Sequence, residues 1–181
     1  ELSFVDINRE LIKELKTRKS YKAAITCGDH YEIVDVPVTE SFYLDEVPSV
    51  GSYDLVFCSV GPNNCYDLAE HFKMAKNVIS CENDASTAIK LRELTGNKNI
   101  YFGIPDVITS NTASEKLLEQ DILMTVTEHG VLVLEKGTYS LPDDILQFDI
   151  DELNMHWMCK LFIHNAPHAI VAYLGYLKGH K

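Results

Sequence analysis

Lys160, Asn165 and His168 are the residues whose types and spacing invite chemistry. They stand among apolar neighbours in the stretch K-L-F-I-H-N-A-P-H-A-I-V-A-Y-L-G, Lys160 to Gly175. At helical pitch, offsets of five and eight residues put Asn165 and His168 on neighbouring turns, with Lys160 near the same broad face. A lysine can take a proton from a hydroxyl, an amide can hold the developing alkoxide, and an imidazole can fix a neighbouring oxygen. To act as a base the lysine must first give up its own proton, which asks for burial or a nearby dipole. The plainer reading stands beside this one. Lysines on amphipathic helices are mostly solvated, and a single histidine is mostly a surface or core residue.

A second chemistry overlaps the first. His156, Cys159, His164 and His168 read H-x2-C-x4-H-x3-H, and the last two share a helical face at a spacing that metal sites use. The pattern lacks the paired cysteines of a structural zinc module and the intervening glutamate of a helical metalloprotease. Pro167 also disturbs the final pair. Proton transfer is therefore the preferred reading, and it requires no metal.

Composition bounds what these residues can serve. The chain has 181 residues, 46% hydrophobic and 24% charged, which suits one domain, or one domain with part of another. A formal net charge of −11 argues against nucleic acid or an anionic membrane as partner, and any phosphate would need a local cationic pocket. No apolar run approaches the roughly 18 residues of a spanning helix. The cysteines (Cys27, Cys58, Cys65, Cys81 and Cys159) are odd in number and irregularly spaced, as in a reduced cytoplasmic protein.

Alternating patterns predict a doubly wound α/β domain over residues 1–148 and the start of a helical domain over 149–181. Leu2 to Ile7 is a short apolar strand containing Asp6. Asn8 can cap the helix that follows, with Leu11, Ile12 and Leu15 on one stripe. An acid ending the second strand of a dinucleotide-binding fold bonds both ribose hydroxyls of NAD and repels the extra phosphate of NADP. Asp6 is equally a strand-end acid beside a helix start, and Arg9 lies close to it in sequence.

No G-x-G-x-x-G occurs, so the central strand and its glycine-rich turn are expected outside these residues, in a longer polypeptide. Tyr21–Cys27 and Tyr31–Val36 flank Gly28-Asp29 as a hairpin. Pro37 to Gly51 mixes strand and loop. Tyr53–Ser59 and Asn77–Cys81 read as buried parallel strands that should lie side by side. Val60-Gly61-Pro62 follows the first of them, where ligands bind in such sheets. Gly61 permits close backbone approach, and Pro62 suits the first turn of a helix over Asn64–Lys76. A helix is expected over Ala85–Leu94, ended by Gly96, then a strand over Asn99–Ile104. Ile122–Thr127 and Val131–Leu134 read as a second hairpin around His129-Gly130, and Tyr139–Phe148 as a linker. Asp149–Met158 leads into the Lys160 stretch, where Pro167 must kink or restart the helix.

The pattern K-x4-N-x2-H followed by A-Y-L-G closely resembles the signature of the polyol-specific long-chain dehydrogenases, the mannitol dehydrogenase family. V-G-P at 60–62 and C-E-N at 81–83 match the same family. The resemblance implies that Val60, Gly61, Pro62 and Glu82 lie along the cofactor. It also implies that Asn83 faces Asn165 across the substrate as a second oxyanion donor. Taken alone, Asn83 at a strand end reads more readily as a helix cap. Pro105-Asp106 falls where relatives carry V-D-R-I. Asp106 is kept to accept bonds from substrate hydroxyls, and Val107 replaces the arginine. The implied activity is hydride transfer between NAD and a polyol phosphate (mannitol 1-phosphate and fructose 6-phosphate), with Lys160 as general base. Free mannitol or a hexuronate is the alternative substrate. The expected partner is a small molecule, and the expected state a monomer or weak homo-oligomer.

Overall fold

The computed structural model describes residues 1–106, 109–110, 113–128, 130–142 and 145–180. In chain order the elements are β1 (Ser3–Asp6), α1 (Arg9–Arg18), β2 (Ser20–Cys27), β3 (His30–Pro37), β4 (Glu40–Tyr43), β5 (Val56–Cys58) and α2 (Ala69–Phe72). There follow β6 (Val78–Ser80), α3 (Ser86–Thr95), β7 (Ile100–Asp106), β8 (Thr109–Ser110), α4 (Glu115–Leu118), β9 (Thr125–Glu128), β10 (Val131–Glu135) and β11 (Leu146–Phe148). The chain finishes with α5 (Ile150–Cys159), a π-helical segment (Lys160–Asn165) and α6 (Ala166–Leu177). These elements gather into two compact units, Glu1–Ser49 with Val107–Val131 and Val50–Asp106 with Leu132–Lys181.

In the first unit, β1 and β4 pair in parallel, and α1 connects β1 to the hairpin. The Asn8 side chain accepts from the N–H groups of Glu10 and Leu11, so the expected cap forms and satisfies two orphan donors. Ile12 and Leu15 are buried with Val38, against Phe4, Leu11, Tyr21 and Tyr43. The hairpin of β2 and β3 is present in the register Cys27↔His30.

The hairpin expected over 122–134 is not. β9 pairs in parallel with β2 and antiparallel with β8, whereas β10 lies between β7 and β11 in the other unit's sheet. His129 lies outside the described residues. The local turn signal loses because each strand buries its apolar face better in its own sheet: Met124, just before β9, packs on Ala24, and Leu134 packs on Ile79 and Tyr101.

The second unit is built on a five-stranded sheet in the order β11-β10-β7-β6-β5. β5–β6, β6–β7 and β10–β11 are parallel, so the two strands expected side by side are indeed neighbours. All three residues of β6 are buried, as in a strand covered on both faces. Val78 faces a core of Cys58, Phe72, Leu91, Ile100, Phe102 and Leu153, while Ile79 faces Tyr101 and Leu134. Gly103 is required here, because a Cβ would stand 2.6 Å from Ile79 Cγ2 and 2.9 Å from Leu134 Cδ2. Arg92 ties α3 to β10 through Glu135 at 2.6 Å, a bidentate pair shielded by the sheet.

Two further expectations change in this unit. The stretch read as a linker contains β11, whose Leu146–Phe148 pairs in parallel with Val133–Glu135. The helix expected over 64–76 is a 3₁₀ turn, Asn64–Leu68, followed by one turn of α-helix.

Candidate functional site

The carboxyl ends of β5, β6 and β7 lie together, since Cys58, Ser80 and Phe102 share one register line. Three chain segments leave this edge: Val60-Gly61-Pro62, Glu82-Asn83 and Pro105-Asp106. Ligands of open α/β sheets bind at such an edge.

The first segment is held from beneath. Glu82 is buried, and its Oε1 accepts from the N–H groups of Val60 at 2.9 Å and Gly61 at 3.0 Å. The Cys65 thiol donates to the same oxygen at 3.1 Å. Asn64 and Cys65 donate their backbone N–H groups to Gly61 O at 3.0 and 3.2 Å, and Asn64 Nδ2 donates to Val60 O at 2.7 Å. Gly61 has φ of +91°, a left-handed conformation that a side chain would strain. The Glu82 carboxylate thus holds the Val60–Gly61 turn and the start of the 3₁₀ segment together. Pro62 follows in the turn that leads into the 3₁₀ segment Asn64–Leu68.

The second and third segments meet Lys160. Its Nζ donates to Asn83 Oδ1 at 3.2 Å and to the carbonyl oxygen of Pro105 at 2.6 Å. A charged amine has donors and no acceptor, so Asn83 turns its oxygen toward Lys160 and its Nδ2 hydrogens away. The neutral amine has two hydrogens and one lone pair. Two acceptors take both hydrogens and leave the lone pair at the remaining corner. The cap alternative for Asn83 is not adopted, because the first turn of α3 is capped by Asp84. Its carboxylate accepts from Ser86 N and Oγ at 2.9 Å, and these bonds hold its pKa below the usual range.

Lys160 opens the π-helical segment, in which Ala166 N–H donates to Leu161 O five residues back. In an α-helix, residues five apart point about 140° away from each other. The wider i→i+5 turn stacks the fifth residue over the first, which carries half-buried Asn165 round toward the Lys160 side. His168 is exposed on the first turn of α6. Among the described residues, neither Asn165 nor His168 forms a side-chain hydrogen bond. Pro167 is the second residue of α6, which runs on directly from the π-helical segment, so its missing N–H leaves one gap in the helical ladder.

The metal alternative finds no support in the geometry. Among the described residues, no three of His156, Cys159, His164 and His168 bring ligand atoms together. His156 instead stacks on Phe148, with ring centroids 4.6 Å apart.

Asp6 lies in the first unit, at the end of β1. Its Oδ1 accepts from Asn8 N–H at 2.7 Å, so it serves the turn into α1. Arg9 is engaged by Asp45 at 3.2 Å and lies over the Tyr43 ring. Asp106 ends β7, its side chain and Val107 lying outside the described residues. Sequence reasoning missed the Pro105 carbonyl, which no side-chain pattern encodes, and Cys65, whose role follows only from its contact with Glu82.

The sheet and the segments at its edge define the class: a Rossmann-like α/β protein. The solved 2-dehydropantoate 2-reductase of Porphyromonas gingivalis is similar at a TM-score of 0.60 and 11% identity, covering 96% of this chain and 62% of that one. D-mandelate dehydrogenase with NADH and anilino(oxo)acetate is similar at 0.59 and 11%, covering 85% and 50%. No family model matches the chain.

Curated sequences sharpen the class. The mannitol-1-phosphate 5-dehydrogenase of Thermoanaerobacter pseudethanolicus is 29% identical over all of this chain and 53% of its own length. That of Clostridium acetobutylicum is 28% identical over all of this chain and 54% of its length, and that of Enterococcus faecalis 26% over 99% and 53%. The chain spans about half the length of the curated relatives it matches. The resemblance carried by a few motifs therefore extends along the whole chain. Among the described residues, no helix is long and apolar enough to cross a membrane.

Proposed function

We propose that the protein to which this chain belongs is an NAD-dependent dehydrogenase of a polyol phosphate, interconverting mannitol 1-phosphate and fructose 6-phosphate with Lys160 as general base. The observation that carries the reading is the pair of bonds from Lys160 to Asn83 Oδ1 and Pro105 O at the sheet edge. Similarity to mannitol-1-phosphate 5-dehydrogenases over the full chain supports the substrate class.

The residues fit a nicotinamide cofactor at Val60-Gly61-Pro62, where Gly61 keeps the backbone bare and nothing but Asn64 Nδ2 at 3.6 Å stands near its missing Cβ. The cofactor supplies the acceptor for hydride, which the protein itself lacks. Glu82 acts on it through the turn that its carboxylate holds rigid. Lys160 receives the hydroxyl proton on its free lone pair. Asn83 Nδ2 and Asn165 Nδ2 donate to the alkoxide without adding charge, and His168 and Asp106 orient neighbouring substrate oxygens. Lys160 then carries the proton as an ammonium, which its two acceptors stabilise. α5 and the segments after it begin a second, helical domain that completes the substrate site. Asp6 selects NAD over NADP. In the full-length enzyme, Asp6→Ala should weaken NAD use and relax discrimination against NADP, and better use of NADP by the unmutated enzyme would show that this strand end is misread.

The deciding experiment compares initial rates of the full-length protein with NAD and either mannitol 1-phosphate or free mannitol. Preference for the phosphate supports the reading, and preference for mannitol or a hexuronate moves it to another branch. Oxidation of none of them would overturn it.

A further inference from the structure

Cys58 and Cys65 cluster with Glu82, and the dehydrogenase reading gives the two cysteines no task. All three are buried, and one ligand atom from each lies within 4.8 Å of the others. The two sulfurs are 3.8 Å apart, and the Cys65 sulfur is 3.1 Å from Glu82 Oε1. Ser80 is the register partner of Cys58 on the neighbouring strand. Paired residues and alternate residues point the same way from a sheet, so its side chain shares the Cys58 face. Its hydroxyl is fully buried without a hydrogen-bond partner, an unfavourable state that packing alone does not require.

Two cysteines and a carboxylate clustered in a buried interior, with the unpartnered Ser80 hydroxyl on the same sheet face, suit one class of ligand. Each group is anionic when ionised, and each would repel the next unless a cation lay between them. Thiolates with one oxygen donor select a borderline-soft ion over magnesium or calcium. The size is right too. Zinc–sulfur bonds of about 2.3 Å at a tetrahedral angle set an S···S edge of about 3.8 Å. The Cys65 to Glu82 edge would open by a few tenths of an ångström.

We propose that Cys58, Cys65 and Glu82 bind one zinc-class divalent ion beneath the Val60–Gly61 turn, with Ser80 beside the fourth position. Binding exchanges protons for metal. The Cys58 and Cys65 thiols each lose one proton to solvent, two sulfur–metal bonds and one oxygen–metal bond form, and no redox change occurs. The two N–H donors that Glu82 already accepts remain as outer bonds to the coordinating carboxylate. The ion is structural, tying the end of β5, the 3₁₀ entry and the end of β6. The inference rests on the cluster alone, so it stands or falls separately from the proposed reaction.

The test is cobalt(II) and zinc binding to the chain purified with its thiols reduced. Cobalt should produce thiolate charge-transfer absorption in the near ultraviolet and tetrahedral bands in the visible, displaced by one equivalent of zinc. Cys58→Ala should abolish the charge-transfer band and lower zinc affinity at least tenfold. Should that variant fail to fold, zinc added to the unmodified chain in weak buffer must release two protons per ion bound. Cobalt bound without the thiolate band would place the ion on the histidines of the helical tail and overturn the proposal. So would the absence of any band, or zinc retention unchanged in Cys58→Ala.

Discussion

The two halves of the candidate site are built in opposite ways. At the carboxyl ends of β5 and β6 the polar groups are paired inside the protein: Glu82 with two backbone N–H groups and a thiol, Asn64 with Val60 O, Asp84 with Ser86. Lys160 to Leu177 contributes no buried residue, and Phe162, Ile163, Ile170, Val171, Tyr173 and Leu174 all stay exposed. The first half is held by bonds that converge on the buried Glu82 carboxylate. Lys160 joins the second half to the first through its bonds to Asn83 and Pro105. A reaction centre assembled from a stiff ledge and a lightly anchored helix needs that lysine bridge for its geometry.

The comparison breaks first at the bridge. In the full-length enzyme, Lys160→Ala should cut turnover by about 100- to 10,000-fold, the range of a lost general base, with a smaller change in cofactor affinity. Steady-state kinetics checks it, and an unchanged pH profile of oxidation would send the search for the base to His168 or Asp106. Asn83→Ala should also slow turnover, by removing both a donor to the alkoxide and one of the two Lys160 acceptors.

The ledge should yield next. Glu82→Ala leaves the part-buried N–H groups of Val60 and Gly61 and the buried Cys65 thiol without this acceptor, at roughly 1–3 kcal/mol in all. Urea unfolding of the metal-free chain should show that loss, and wild-type stability in this variant would mean that water replaces the carboxylate.

Alkali gives a third, smaller handle on the same region. Burial pushes the Cys58 thiol up to about 11 and Cys81 up to about 12, with the Glu82 charge adding to both. Cys65 is raised as well, by burial first and then by Cys58 and Glu82. The folded chain therefore holds these protons to higher pH than the unfolded chain, whose thiols ionise near pH 8.5. Stability is full below that pH and falls toward pH 11–12 by about 1.4 kcal/mol per pH unit for each thiol. Denaturant midpoints at pH 7 and pH 10 measure this, and Cys58→Ala should flatten the slope. The smallest effect belongs to the tail: Pro167→Ala should change the stability of this chain by less than about 0.5 kcal/mol. Its ring is exposed and no residue of α6 is buried, so the change touches little packing. A large loss there would contradict the contrast between ledge and tail.

Much of this was legible in the residues. Asn8 before a helical stripe, Gly28-Asp29 between two strand runs, and Gly96 after Thr95 all became the cap, turn and helix end they suggest. These features depend on a few neighbours, and the backbone chemistry involved is local. His129-Gly130 carries the same kind of turn signal and misleads, because β9 and β10 find partners far away in sequence. Leu146–Phe148 reads as linker because three residues are too few to show a period, and only pairing with β10 makes them a strand.

By itself the sequence determined the α/β class, the parallel neighbours β5 and β6, and which polar residues stood where apolar ones would be expected. Those follow from periodicity and composition, which every window of the chain carries. Tertiary structure alone decided that Lys160 meets Asn83 and the Pro105 carbonyl, across 77 and 55 residues of chain. It alone turned Glu82 inward onto the Val60–Gly61 turn, and it widened the helix at Lys160 so that Asn165 follows round. A backbone carbonyl has no letter in the sequence, and a carboxylate's partner depends on which strands happen to end beside it.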